Sequence, residues 1–242
     1  MSSTLQRLLS HITFGVMYPS LNLYESMNIP VISTTRPLQF YRKTLFNNLP
    51  EETLAKELQA QTIIDIGCGL TPFIEDSMYQ WCQRQGIDFY AVDPKVKNGF
   101  KFGTFDRIKS YATGAKTTPN PNIGGLDKTI ASYANDLPLE NQSVDIVISC
   151  WLIFSWLRSD AILKEVFKEF DRVLKPGGSI RIFPTPDLEQ LNRKFPGLAT
   201  QLESDGYEIK QKFFMTGNLA SVPPSFATFF VKPTDITIPG EQ

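Results

Sequence analysis

The most constraining feature of the sequence is a short apolar run, Thr62–Ile66, that leads directly into Gly67 and Gly69. Apart from Asp65, the run consists of β-branched residues, which is typical of a strand buried in a parallel sheet. Glycine lacks a Cβ atom, so the backbone can turn tightly after the strand and a ligand can lie almost against it. The junction therefore predicts a nucleotide-type crevice at the carboxyl end of a buried strand.

Strands and helices alternate after this junction. Thr71 and Pro72 are predicted to begin a helix that ends at Gly86. The longest helical pattern is Asp160–Lys175, stopped by Pro176-Gly177-Gly178, and another helix is expected within Asp187–Ser204. The further predicted strands are Asp88–Asp93, Lys128–Tyr133, Val144–Cys150, Ser179–Pro184, Tyr207–Phe214 and Phe226–Val231. This order predicts a mostly parallel sheet with helices on both faces.

The chain is predicted to have two parts. Residues 1–60 form an N-terminal helical extension, or lid, and residues 61–242 form the main α/β domain. The segments of the extension are an apolar, aromatic stretch at Leu5–Tyr24, a Pro-containing stretch, and helices around Leu38–Asn48 and Glu51–Gln61. Residues 95–127 contain many glycines and prolines, so we expect a loop excursion there instead of a long crossover helix.

The glycine junction has two interpretations, a cofactor loop or a tight strand-to-helix turn without a ligand. Asp93 favours the cofactor loop, because it closes the second strand 24 residues after Gly69, where a carboxylate can bind ribose hydroxyls. Pro72 occupies the position of the third glycine of a dinucleotide loop, and a phosphate-binding Gly-Lys-Ser/Thr ending is absent. The loop therefore suits a nucleoside without a pyrophosphate bridge, which disfavours a nicotinamide-dependent oxidoreductase.

Four segments together resemble the class I S-adenosylmethionine-dependent methyltransferases. They are Ile63–Gly69, Phe89–Asp93, Asn135–Asp145 and Phe170–Gly178, in the family's order. The resemblance extends over roughly Leu38–Pro233. It implies an α/β fold with a doubly wound, mostly parallel seven-stranded sheet that is Rossmann-like and carries a reversed C-terminal strand pair.

The resemblance also implies a set of residues that bind S-adenosylmethionine. They are Asp65, Gly67, Cys68, Gly69, Asp93, Asn135, Asp136 and Cys150. Asp65 would face the methionine amino group or orient the loop, and Asp93 would hold the ribose. In many family members an acid reaches the adenine from the position of Tyr133, so adenine recognition is expected instead from Asn135 or Asp136, or from the backbone of residues 133–134.

The composition of the chain indicates which partners and which cellular setting to expect. The chain has 24 Lys and Arg residues against 25 Asp and Glu, so no net field attracts nucleic acid or an anionic membrane. Its three cysteines are scattered, which argues against disulfides or a zinc site and favours a reducing, cytoplasmic setting. No secretory signal or membrane span is predicted.

The predicted function is methyl transfer to a small, partly apolar acceptor. The family's Asn/Asp-Pro-Pro-aromatic signature for amino groups of nucleic acid or protein is missing, because Ser149-Cys150-Trp151-Leu152 stands in its place. The alternative is a non-catalytic protein that binds the cofactor and has a sensing or scaffolding role. His11, the only histidine, is given no role, and no residue is assigned as catalytic.

Overall fold

The computed structural model describes residues 3–27, 35–96, 104, 119–215 and 223–234. Its helices are α1 (Thr4–Ser26), α2 (Leu38–Leu45), α3 (Glu51–Leu58), α4 (Met78–Gln85), α5 (Asp160–Val173), α6 (Leu188–Lys194) and α7 (Pro196–Ser204). Its strands are β1 (Thr62–Ile66), β2 (Asp88–Val92), β3 (Thr129–Ile130), β4 (Val144–Cys150), β5 (Leu174–Thr185), β6 (Glu208–Phe214) and β7 (Ser225–Val231). None of the described helices is long and apolar enough to cross a bilayer.

The seven strands form one sheet in the order β3-β2-β1-β4-β5-β7-β6. The pairs from β3 to β5 are parallel, whereas β7 runs antiparallel to both β5 and β6. One apolar cluster packs α2, α3 and α4 against one face of the sheet, and a second packs α5, α6 and α7 against the other. The predicted doubly wound sheet with its reversed terminal strand pair is confirmed.

The glycine junction lies where the sheet reverses its strand order. Strand β1 pairs with β2 on one side and with β4 on the other, and the two crossovers run in opposite directions from it. In open α/β sheets the crevice at such a switch point is the usual ligand site. The fold therefore places Gly67 and Gly69 at the mouth of this crevice.

Several predicted boundaries were wrong. Residues Thr71–Phe73 form only a 3₁₀ turn, and helix α4 begins after Ser77, whose hydroxyl accepts the amide of Gln80 at 3.1 Å. Gly86 does end the helix, in the left-handed conformation. Helix α5 ends at Val173, before the Pro-Gly-Gly sequence, because Leu174 already pairs with β4.

Two other predicted elements differ from those in the structure. The third predicted strand shortens to two residues, and the helix expected within Asp187–Ser204 is two helices separated at Phe195. Most of the predicted excursion at residues 95–127 lies outside the described residues, as does most of the link before β7.

Candidate active site

The glycine loop is fixed to the end of strand β2. The amides of Gly67 and Cys68 both donate to the carbonyl of Val92, at 2.8 and 3.3 Å. Gly67 has φ +73° and Gly69 has φ +57°, a region that residues with a side chain rarely adopt. A Cβ atom at position 67 would also lie 2.7 Å from Leu152 Cδ2. Gly67 is therefore required both for its backbone conformation and for the space beside it.

Asp93 joins the end of β2 to the same loop. One carboxylate oxygen accepts the amide of Gly69 at 3.1 Å, and the other accepts the amide of Lys95 at 2.9 Å. The side chain is half-buried. An ionised carboxylate has about four acceptor positions, so two further hydroxyl donors can bind to it. Asp93 can therefore accept hydrogen bonds from two neighbouring hydroxyl groups of a ligand bound at the glycine loop.

A buried arginine lies beneath the loop. Arg36, only 3% exposed, donates to the carbonyls of Cys150 and Gly67 at 3.0 and 3.1 Å, and to the hydroxyl of Tyr41 at 3.0 Å. The Tyr41 hydroxyl in turn donates to Asp65 Oδ2 at 2.6 Å. These contacts tie the segment before α2 to the ends of β1 and β4. Arg36 was not predictable from the sequence, since a single arginine in a Pro-containing stretch carries no pattern that indicates burial.

Asp65 is the most perturbed carboxyl group at this edge. It is 1% exposed, and its Oδ1 has no hydrogen-bond partner among the described residues. Burial raises the pKa of Asp65 to about 6, although the nearby Arg36 cation and the Tyr41 hydroxyl act in the opposite direction. A buried acceptor without a donor is costly, and a bound ammonium group would satisfy it.

This raised pKa predicts a pH-dependent stability. Between about pH 4 and pH 6 the unfolded chain releases the Asp65 proton while the folded chain retains it, so the folded state loses stability as the pH rises. A shift of about two units corresponds to roughly 3 kcal/mol. We expect the free energy of unfolding of the wild type, minus that of Asp65→Asn, to fall by about this amount between pH 4 and pH 7.5 in urea titrations. Parallel pH profiles of the two proteins would contradict the assignment.

The two cysteines at the site are buried and inert. Cys68 and Cys150 are 0% and 1% exposed, and burial raises the pKa of each thiol well above its usual range. Cys150 contributes its carbonyl to Arg36, and the chain then turns sharply at Trp151, which has φ +65°. The turn carries Leu152 back over Gly67.

The predicted adenine residues lie in the segment that follows β3. Asn135 and Asp136 are both exposed, and Asn135 lines a surface groove formed largely by α5. The pKa of Arg172 on that helix is raised by its hydrogen bond to Glu169 and, more weakly, by Asp136. Among the described residues, no hydrogen bond joins either side chain to the loop. Hydrogen bonds therefore connect the segments that carry Asp65, Gly67, Cys68, Gly69, Asp93 and Cys150, and within the described residues they do not extend to Asn135 or Asp136.

Helix α1 lies over the loops that follow β4 and β5. The guanidinium of Arg158, after β4, donates to Asn22 and Glu25 at 2.6 Å each. At the other end of the helix, His11 Nε2 lies 2.7 Å from Oδ2 of Asp187, which follows β5 and is 1% exposed. Both loops extend from the carboxyl edge of the sheet, so α1 lies at the same edge as the glycine loop.

Comparison with known proteins identifies similar chains. The family model of a methyltransferase domain matches residues 64–182. The human U6 snRNA (guanine-N(2))-methyltransferase THUMPD2 is 25% identical over 170 residues, which cover 69% of this chain and 31% of that protein. An anamorsin homolog from Populus trichocarpa is 32% identical over 109 residues, or 43% of this chain and 38% of that protein. The chain thus spans about a third of the length of these curated relatives.

A solved structure is also among the similar chains. The 16S rRNA (adenine(1408)-N(1))-methyltransferase from Catenulisporales acidiphilia is 16% identical, with a TM-score of 0.46. The alignment covers 78% of this chain and 93% of that one.

Proposed function

Because the chain belongs to the class I S-adenosylmethionine-dependent methyltransferases, we propose that its acceptor is a small, partly apolar molecule that binds beneath helix α1. The observation that carries this proposal is the position of α1, which is tied to the loops after β4 and β5 through Arg158 and Asp187. A helix across this edge leaves an acceptor a confined site instead of an open surface.

The residues at the glycine loop fit S-adenosylmethionine. We assign Asp65 Oδ1, which has no donor among the described residues, to the methionine ammonium, and Asp93 to the ribose hydroxyls. Gly67 and Gly69 would let the backbone approach the cofactor, while Asn135 or Asp136 would have to turn from α5 toward the adenine. When bound, the cofactor supplies an activated methyl group on sulfur, so the protein mainly aligns the acceptor and excludes water.

Residues 1–60 would act as the lid over this site, and residues 61–242 as the catalytic domain. The contacts of α1 support this division, since two of its residues, Ser10 and Phe14, are buried and its Arg7 and Glu25 form ion pairs with the main domain.

RNA is the second candidate acceptor, because one relative is named as a U6 snRNA methyltransferase. Affinity for RNA depends on neutralising phosphates with lysine and arginine. The formal net charge of this chain is −1, which favours the small-molecule proposal.

A labelling experiment distinguishes the candidates. The purified protein and S-adenosylmethionine carrying a labelled methyl group are incubated with a cell extract that has been divided into small molecules, RNA and protein. We expect label in the small-molecule fraction, insensitive to ribonuclease and to moderate salt. Label in RNA would refute the proposed acceptor, and tight cofactor binding with no label in any fraction would favour the non-catalytic alternative. Asp93→Ala serves as the control without cofactor binding.

A further inference from the structure

Helix α1 exposes an apolar stripe on the side away from the body of the protein. The stripe consists of Leu5, Leu8, Ile12, Val16, Leu23 and Met27. These side chains are 55–66% exposed and recur at intervals of three, four or seven positions, which places them on one face of the helix. A row of large apolar side chains facing solvent is unusual for an isolated domain and marks an interaction surface.

The charged residues of α1 lie on its other faces. Arg7 pairs with Glu189, His11 lies against Asp187, and Glu25 pairs with Arg158. The charged side chains thus lie on the side of the helix that carries the buried Phe14, whereas the six side chains of the stripe face water. The body already engages the side of the helix that carries Phe14 and these charges, so the apolar stripe is left for another partner.

We propose that the stripe is the interface with a second copy of this chain, packed through antiparallel α1 helices about a two-fold axis at Val16. In that register Val16 meets its own symmetry mate, Leu5 meets Met27 of the other copy, and Leu8 lies beside Leu23. An isologous contact needs such a self-complementary pattern, because both copies use the same surface. Gly15 is next to the axis, and an added Cβ there would meet nothing within 4 Å, so the two helices can approach closely.

The area of the stripe suits a dimer. Six apolar side chains at about 60% exposure offer roughly 600 Å² per copy, or roughly 1,200 Å² in total, which reaches the lower limit of stable interfaces. A lipid surface fits less well, because helices that bind membranes usually have lysine and arginine beside the apolar face. Arg7 is the one basic residue of α1 besides His11, and it pairs with Glu189.

Sedimentation of the full chain tests the proposal. We expect a species of twice 27.3 kDa at micromolar concentrations, and at least a 100-fold weaker dimer for Val16→Glu, since two carboxylates would meet at the axis. The matched control is Ile162→Glu, which adds the same charge at an exposed apolar position of α5, 44% exposed, and should leave the dimer unchanged. A monomeric wild type, or a Val16→Glu protein that dimerises normally, would overturn the proposal.

A second variant gives a positive signal that does not depend on weakening the dimer. Val16→Cys should form a disulfide-linked dimer under mild oxidation, because only residues next to the axis bring their Cα atoms within disulfide range. The native cysteines are buried and free, and Ile162→Cys is the control that should not cross-link. Absence of the cross-link, or sedimentation of the wild type with phosphatidylcholine vesicles that Val16→Glu abolishes, would assign the stripe to another partner.

Discussion

Replacing Asp93 with alanine is expected to weaken S-adenosylmethionine binding by at least about 100-fold. A hydrogen bond to a charged acceptor is worth about 1.5–3 kcal/mol, and the carboxylate is assigned to two ribose hydroxyls. The substitution also removes the acceptor of the Gly69 amide, 3.1 Å away, so the loop loses its connection to the end of β2. Calorimetric titration with S-adenosylmethionine and S-adenosylhomocysteine measures the effect.

Asp88→Ala is the matched control for this experiment. Asp88 begins the strand that Asp93 follows, is exposed, and pairs with Lys128 at 2.6 Å. The variant therefore makes the same change of charge at the opposite end of β2, and we expect its cofactor affinity to stay within about twofold, because exposed ion pairs contribute little. Equal affinities of Asp93→Ala and the wild type would refute the assignment of the ribose site.

Replacing Gly67 with alanine is expected to lower the free energy of unfolding by about 3 kcal/mol and to abolish cofactor binding. The left-handed backbone conformation accounts for about 1 kcal/mol, and the overlap of the new methyl group with Leu152 for about 1–3 kcal/mol. Rotation of the Leu152 side chain cannot relieve the overlap, because the Cβ atom of Leu152 does not move on rotation and would lie 2.9 Å from the Cβ atom of the new alanine. Urea denaturation and calorimetry measure the two effects.

Gly86→Ala separates the two causes. Gly86 has φ +68°, close to the +73° of Gly67, but an added Cβ there meets nothing within 4 Å. We expect it to lose only the conformational part, about 1 kcal/mol. Combining Gly67→Ala with Leu152→Gly, which removes all three of the contacting leucine atoms, should recover about 1–2 kcal/mol relative to the sum of the single variants. Strict additivity would show that the overlap is not the cause.

Local patterns predicted the parts of the site that lie on consecutive residues. The apolar run before Gly67 forms β1, and Asp93 lies against the same loop. The strands were predictable because a buried parallel strand must be apolar throughout, and strand order follows from a small set of crossovers. The start of α4 was wrong, because Pro72 suits a 3₁₀ turn as well as a helix and Ser77 provides the better cap.

The sequence by itself determined the sheet and the glycine loop, because each depends on residue types at short, fixed spacings, and the resemblance of four motifs to one family indicated the cofactor. Only the tertiary structure decided which distant groups surround the loop. Arg36 reaches the carbonyls of Gly67 and Cys150, and Leu152 packs on Gly67. The outward direction of the apolar stripe on α1 was also decided there. The physical reason is that the burial and pairing of a side chain depend on where the fold places its partners in space. Arg36 and Cys150, which meet here, are 114 positions apart in the sequence.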